Sequence, residues 1–329
     1  NQTGLTMQAL SLGALDFVPK PQGDNPAESF AQLASSLLPL LELALSRRNR
    51  RNARAHLAGH PAPPAPIVPK PAFRSPLTNS VQAHRADEPS PARSDTAASP
   101  FRRERLEAPS ATLRHAVAPA TPATGGANRK PPAHIELLAI GVSTGGPNAL
   151  QAMVPRIPAN IPVPVVCVQH MPPMFTTSLA ERLDRESAIH VQEGRDGMEI
   201  HPGNMYIAPG GLHQVVVKGS DGRLRIKMNE GPPVNSCRPS VDVMFESIAG
   251  TGMSGILTVI LTGMGSDGAA GVKHLREKGA WSIVQDEASS VVWGMPGTVA
   301  SQGQADEILA LDRIAPRIAE LLLKNGGRP

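Results

Sequence analysis

From residue 135 to residue 323 the chain alternates between two hydrophobic patterns. Short apolar runs at 135–142, 163–169 and 256–262 have the length and β-branched content of strands buried on both faces. Between such runs, apolar residues recur at helical spacing. The patterns predict strands at 135–142, 163–169, 204–208, 256–262, 281–285 and 307–311. They predict helices near 147–156, 175–186, 239–249, 267–278, 296–302 and 312–323. Gln214 to Met228 reads as a β-hairpin turning at Asp221-Gly222. This alternation predicts an α/β fold with a doubly wound, mostly parallel sheet and a β-hairpin insertion.

The first 132 residues read differently. Residues 1–49 follow a helix, strand, helix pattern, too small by itself for a stable core. Residues 47–132 hold 15 of the 34 prolines and almost no large apolar residues, so they cannot bury enough surface to offset chain entropy. The expected division is 1–49, a disordered linker at 50–132, and a folded domain at 133–325. Residues 47–132 carry 15 Arg and Lys against 5 Asp and Glu, a net of +10 in a chain of +4, so the remainder is −6. A nucleic-acid partner is not expected, because this basic stretch has two Phe and no Tyr or Trp to stack on bases. The apolar runs are far shorter than the roughly 20 residues of a membrane helix, so membrane insertion is not expected either. The two cysteines, Cys167 and Cys237, lack the spacing of a structural zinc site or a disulfide framework. A reduced, cytoplasmic protein is the resulting expectation.

The candidate chemistry begins at Gly141-Val-Ser-Thr-Gly-Gly146, between the first strand and the first helix. The spacing is G-x-S-x-G, in which glycines permit a tight turn and bring backbone N–H groups near the serine. Glycine-rich strand-to-helix turns also bind phosphates, so this motif alone leaves hydrolase and nucleotide site open. In doubly wound sheets the working groups gather beyond the carboxyl ends of the strands. Ser143, His170 and Asp267 all fall there, after the strands ending near 142, 169 and 262. A serine hydroxyl needs a histidine base, and that histidine needs a carboxylate to fix its tautomer, so these are the three required types. Taken singly, His170 reads as a strand-end cap and Asp267 as a first-turn acid of the helix from 267. His201 and His213 flank loops and remain outside candidates, whereas His134, His190 and His274 have poorer contexts. The order Ser, His, Asp is not that of the α/β-hydrolases. No acidic residue ends the second strand, where Gln169-His170 stands, which speaks against a dinucleotide site.

Several segments, in order, resemble the chemotaxis protein-glutamate methylesterase family: Ile140-Gly-Val-Ser-Thr-Gly-Gly-Pro147, Gln169-His-Met-Pro-Pro173, Tyr206-Ile-Ala-Pro-Gly210, Arg238-Pro-Ser-Val-Asp242, Leu261-Thr-Gly-Met-Gly-Ser-Asp-Gly-Ala-Ala270, and Gln285-Asp-Glu-Ala-Ser-Ser290 through Gly294-Met-Pro296. The resemblance implies a response regulator with a receiver domain, a linker and an esterase domain. It also implies removal of methyl groups from glutamate γ-esters of chemoreceptors and deamidation of receptor glutamines. The family's catalytic serine, histidine and aspartate fall on Ser143, His170 and Asp267, and its active-site neighbours on Thr144 and Met264. The implied partners are methyl-accepting chemoreceptors as substrate and, for the full-length protein, the pathway's histidine kinase. No metal or organic cofactor is implied for hydrolysis; magnesium is implied only for the receiver. Residues 1–21 resemble the end of a flavodoxin-like receiver, with Lys20-Pro21 as its late Lys-Pro pair, but its acidic pocket and phosphoacceptor aspartate are absent from this chain.

Overall fold

The computed structural model describes residues 129–324 and scattered positions between 5 and 45. The readings made for 46–128, for Lys20 and for the receiver-like segment as a unit lie outside the described residues. Seven strands form one sheet: β1 (Leu137–Val142), β2 (Val165–Gln169), β3 (His190–Glu193), β4 (Asn204–Ile207), β7 (Ile256–Ile260), β8 (Trp281–Gln285) and β9 (Glu307–Leu309). Their order is β3-β4-β2-β1-β7-β8-β9, and every pairing is parallel. The hairpin pairs β5 (His213–Lys218) with β6 (Leu224–Asn229) as a separate antiparallel ribbon, as the pattern predicts.

The central strands β1, β2, β7 and β8 are buried at every position, which is why their sequences read as unbroken apolar runs rather than alternations. Along β1 the side chains still divide by face. Leu138, Ile140 and Val142 join a core with Leu150, Leu179 and Ile318, from helices α1 (Gly146–Met153), α2 (Phe175–Glu186) and α6 (Leu311–Lys324). Leu137 and Ala139 join a second core with Phe245, Val272 and Val299, from α3 (Val241–Gly250), α4 (Ala269–Glu277) and α5 (Met295–Ser301), and with Val216 and Ile226 of the hairpin. Helices thus cover both faces of a parallel sheet.

The structure departs from the sequence expectations in an extra edge strand and at several element ends. The hydrophobic pattern does not mark the strand β3: within His190-Val-Gln-Glu193 only Val191 is buried, so this edge strand carries no periodic signal and is defined by pairing with β4. At the other end of the linker reading, Arg129 already belongs to the folded body. Its guanidinium lies 2.9 Å from Asp306, donates to the carbonyl of Ala280 and stands over the Trp281 ring. Among the scattered N-terminal positions, Phe17 packs on Phe175 with ring centroids 4.4 Å apart.

The sheet order places β1 between β2 and β7. The chain leaves β1 toward β2 on one side and later returns to β7 on the other, so the carboxyl ends of these strands form the switch point where α/β sheets open a crevice.

Candidate active site

Ser143 follows β1 directly. Its backbone N–H donates to Thr262 O (3.0 Å), while its carbonyl accepts from Gly146 N (2.7 Å) and from Gln169 Nε2 (3.1 Å). Gly145, at φ 76°, turns the chain in a region that favours glycine, and α1 starts at the next residue with Pro147 in its first turn. Gln169 Nε2 also donates to the carbonyl of His170 (3.1 Å), so one buried amide clips the serine and histidine peptides together. Thr144 is anchored through its carbonyl, which accepts from Thr262 Oγ1 (2.9 Å).

His170 follows β2, and its Nε2 lies 2.8 Å from Asp267 Oδ2. Asp267 does not serve the helix that follows it. The expected start at 267 moves to Ala269, with Gly268 as N-cap at φ 94°, and the carboxylate instead receives the N-terminus of α3. Val241 N donates to Oδ2 (2.6 Å), while Asp242 N (3.2 Å), Ser240 Oγ (2.8 Å) and Asn235 Nδ2 (2.8 Å) donate to Oδ1. A helix N-terminus carries partial positive charge and unpaired N–H groups, so it favours an anion at this point. Burial works against the Asp267 charge, yet the hydrogen bonds from His170, Asn235 and Val241 hold its carboxyl well below the usual carboxylate range. Its neighbour Asp242 shifts the other way, pushed up by burial and by the Asp267 charge, while Asn235 Nδ2 bridges the two carboxylates at 2.8 Å from each. Burial also opposes charge on His170, but the bond to Asp267 and the adjacent Cys237 outweigh it and raise its pKa to about 9.

The second ring nitrogen of His170 faces Cys237, with Nδ1 3.5 Å from Sγ. With Nε2 on Asp267 and Nδ1 on Cys237, both nitrogens are taken, and among the described residues Ser143 Oγ makes no hydrogen bond to the ring. The structure therefore joins His170 to Asp267 and brings Ser143 beside them through backbone contacts, without closing the serine-to-histidine bond. Thr144 follows the serine in the chain, and Met264 follows Gly263, whose backbone passes close to the Ser143 side chain. No acceptor for either backbone N–H is found among the described residues, in contrast to the engaged N–H groups of Ser143 and Gly263. Of the outside candidates, His213 is a buried structural ring between Pro232 O (3.0 Å) and Ser240 N (3.2 Å), and His201 is exposed beside Glu199.

The sequence gives no signal of a role in the site for Gln169, Asn235 or Cys237, and only a weak one for Ser240 and Asp242. Ser240 and Asp242 lie in the Arg238–Asp242 motif at the start of a predicted helix, and that polar start was the available signal. Asn235 and Cys237 had none: they lie in an irregular loop and reach partners 32 and 67 residues away in the chain. Among the described residues, His170, Cys237 and Asp267 form the one group of three potential metal ligands, with ligand atoms within 4.8 Å of one another.

Residues 138–318 match a family model described as CheB methylesterase. A protein-glutamate methylesterase/protein-glutamine glutaminase of Trichodesmium erythraeum is 50% identical over 184 residues, covering 56% of this chain and 52% of that protein. One from Desulfotalea psychrophila is 40% identical over 315 residues, covering 95% of this chain and 73% of that protein. The chain thus spans about half the length of the first relative and about three quarters of the second. Among solved structures, the CheB methylesterase catalytic domain of Thermotoga maritima aligns with a TM-score of 0.55 at 41% identity, covering 57% of this chain and 98% of that one. A model match across more than half of the chain, and a relative that agrees over nearly all of it, place the protein: it belongs to the CheB methylesterase family.

Proposed function

We propose that this protein is a cytoplasmic serine esterase and amidase that removes methyl groups from glutamate γ-esters of chemoreceptors and deamidates receptor glutamines. The observation that carries the reading is the His170–Asp267 pair, 2.8 Å apart on the N-terminus of α3 and beside the Ser143 turn. The names of the relatives, protein-glutamate methylesterase/protein-glutamine glutaminase, supply the substrate class. Among the described residues no helix is long and apolar enough to cross a membrane.

Because Asp267 holds Nε2–H, the basic nitrogen of His170 is Nδ1. Ser143 Oγ takes the place of the Cys237 thiol at Nδ1 when substrate arrives; such bonds commonly tighten only in the substrate complex. Oγ attacks the γ-carbonyl and its proton passes to Nδ1, while Asp267 stabilises the imidazolium. The backbone N–H groups of Thr144 and Met264 receive the oxyanion, a contribution of roughly 2.7–4 kcal/mol per donor in a comparable hydrolase. The Nδ1 proton then leaves with methanol or ammonia, and water releases the glutamate by the reverse sequence. The basic residue types present suffice for this chemistry without metal or organic cofactor. Phosphorylation control, in this reading, is exerted by a receiver with a magnesium pocket, with the pathway's histidine kinase as phosphodonor.

Methanol release from methylated receptor membranes tests the activity directly. Docking without catalysis is the rival function, and a serine-directed phosphonate separates the two. Covalent label on Ser143 supports the hydrolase, whereas receptor binding with neither label nor methanol release would replace it with a scaffold role.

A further inference from the structure

We propose that His170 Nδ1 and Cys237 Sγ together form a binding site for a thiophilic divalent cation such as zinc, and that an ion bound there shuts off hydrolysis. Zinc bound tetrahedrally, with nitrogen at about 2.0–2.1 Å and thiolate at about 2.3 Å, holds those two ligand atoms about 3.6 Å apart. Nδ1 and Sγ already stand 3.5 Å apart. An ion fits between them with little rearrangement.

Three further features fit the pair for an ion. The carboxylate of Asp267 already engages five donors, from His170, Val241, Asp242, Ser240 and Asn235, so it stays on Nε2–H and leaves the Nδ1 lone pair outward. That carboxylate–histidine arrangement orients metal-binding imidazoles in zinc proteins. Cys237 is held by its backbone in both directions, its N–H donating to Val234 O (2.9 Å) and its carbonyl accepting from Val234 N (3.1 Å). Cys237 is a partly exposed residue and the His170 side chain is 12% exposed, so the pair lies at the protein surface rather than in the core. Binding replaces the thiol proton and, where the ring is protonated, the Nδ1 proton, both released to water; Sγ and Nδ1 each donate an electron pair to the ion, and water fills the remaining positions. Nδ1 is then unable to accept the serine proton. The inhibition rests on the hydrolase reading above, while the binding site does not.

The experiment uses the full chain. Cobalt(II) substitutes for zinc as a visible probe, and a thiolate-to-cobalt absorption band is expected at one equivalent in the wild type and not in Cys237→Ala or His170→Ala. Alkylation by iodoacetamide, read by mass, gives a second measure on the unmutated protein, because Cys167 is fully buried and Cys237 is the reactive thiol. Zinc should protect Cys237 from it. Hydrolysis is scored for the wild type and Cys237→Ala as the ratio of rates with and without zinc, so any change in basal rate cancels. Micromolar zinc should lower the wild-type rate at least about tenfold, a chelator should restore it, and Cys237→Ala should need about 10- to 100-fold more zinc. Absence of the cobalt band together with unprotected Cys237, or equal zinc sensitivity in Cys237→Ala, overturns the proposal. A chain that shows the band and the protection but hydrolyses nothing keeps the metal site and sinks the hydrolase reading instead.

Discussion

A Cβ placed on Gly263 would stand 2.8 Å from the Cβ of Ser143 and would also run into Met295, so the loop after β7 passes the serine only because residue 263 has no side chain. Gly263→Ala is therefore expected to leave the sheet intact but push the serine aside. A displacement of about 1 Å can cost about a hundredfold in rate, so kcat should fall about 10- to 100-fold with a smaller change in KM. Methanol-release kinetics on the purified variant check this, and an unchanged kcat would show that the close approach does not position the nucleophile.

Ser143→Ala and His170→Ala are each expected to abolish most hydrolysis, and the double variant to be little worse than either, because members of such a unit are not additive. Asp267→Asn should be severe, by about 10⁴ in kcat if it behaves as in serine proteases, since an amide cannot favour the required tautomer. Additive losses, or near-normal turnover of Asp267→Asn, would remove the corresponding residue from its role.

Hydrolysis needs the neutral imidazole, so with His170 titrating at about 9 the rate should rise with pH through that range. Cys237→Ala removes part of what holds the proton and should move the midpoint down. The stability effect has the opposite direction. A folded pKa above the ordinary imidazole value of 6.5 contributes stability that is complete below about 6.5 and lost as pH rises through about 9. Urea midpoints of wild type and His170→Ala, compared near pH 6 and near pH 10, should differ more at the lower pH. A difference that grows with pH would contradict the assigned shift.

Residues 129–329 are expected to fold and hydrolyse alone, as a core of this size allows. A fragment from 133 loses Arg129, one of two arginines on the buried Asp306. The loss of hydrogen bonds to a buried charge should cost about 1.5–3 kcal/mol. Thermal melts of the two fragments decide, and equal Tm values would return Arg129 to the linker.

The apolar runs already specify a sheet of parallel strands and put Ser143, His170 and Asp267 at its carboxyl edge. Long apolar runs can be satisfied only as strands buried on both faces, and parallel strands carry their following residues to one side of the sheet. The short edge strand at His190–Glu193 was not legible, because one buried valine among four residues leaves no period to read. Nor was the setting of the aspartate. Sequence placed Asp267 at the start of its own helix, whereas only the packing of α3 across the β7 loop brings Val241, Asp242 and Ser240 onto its carboxylate. The same holds for Cys237 at Nδ1 of His170. Their loop has neither strand nor helix period, so where its side chains point is decided by the surfaces it lies against, and that information resides in the tertiary structure alone.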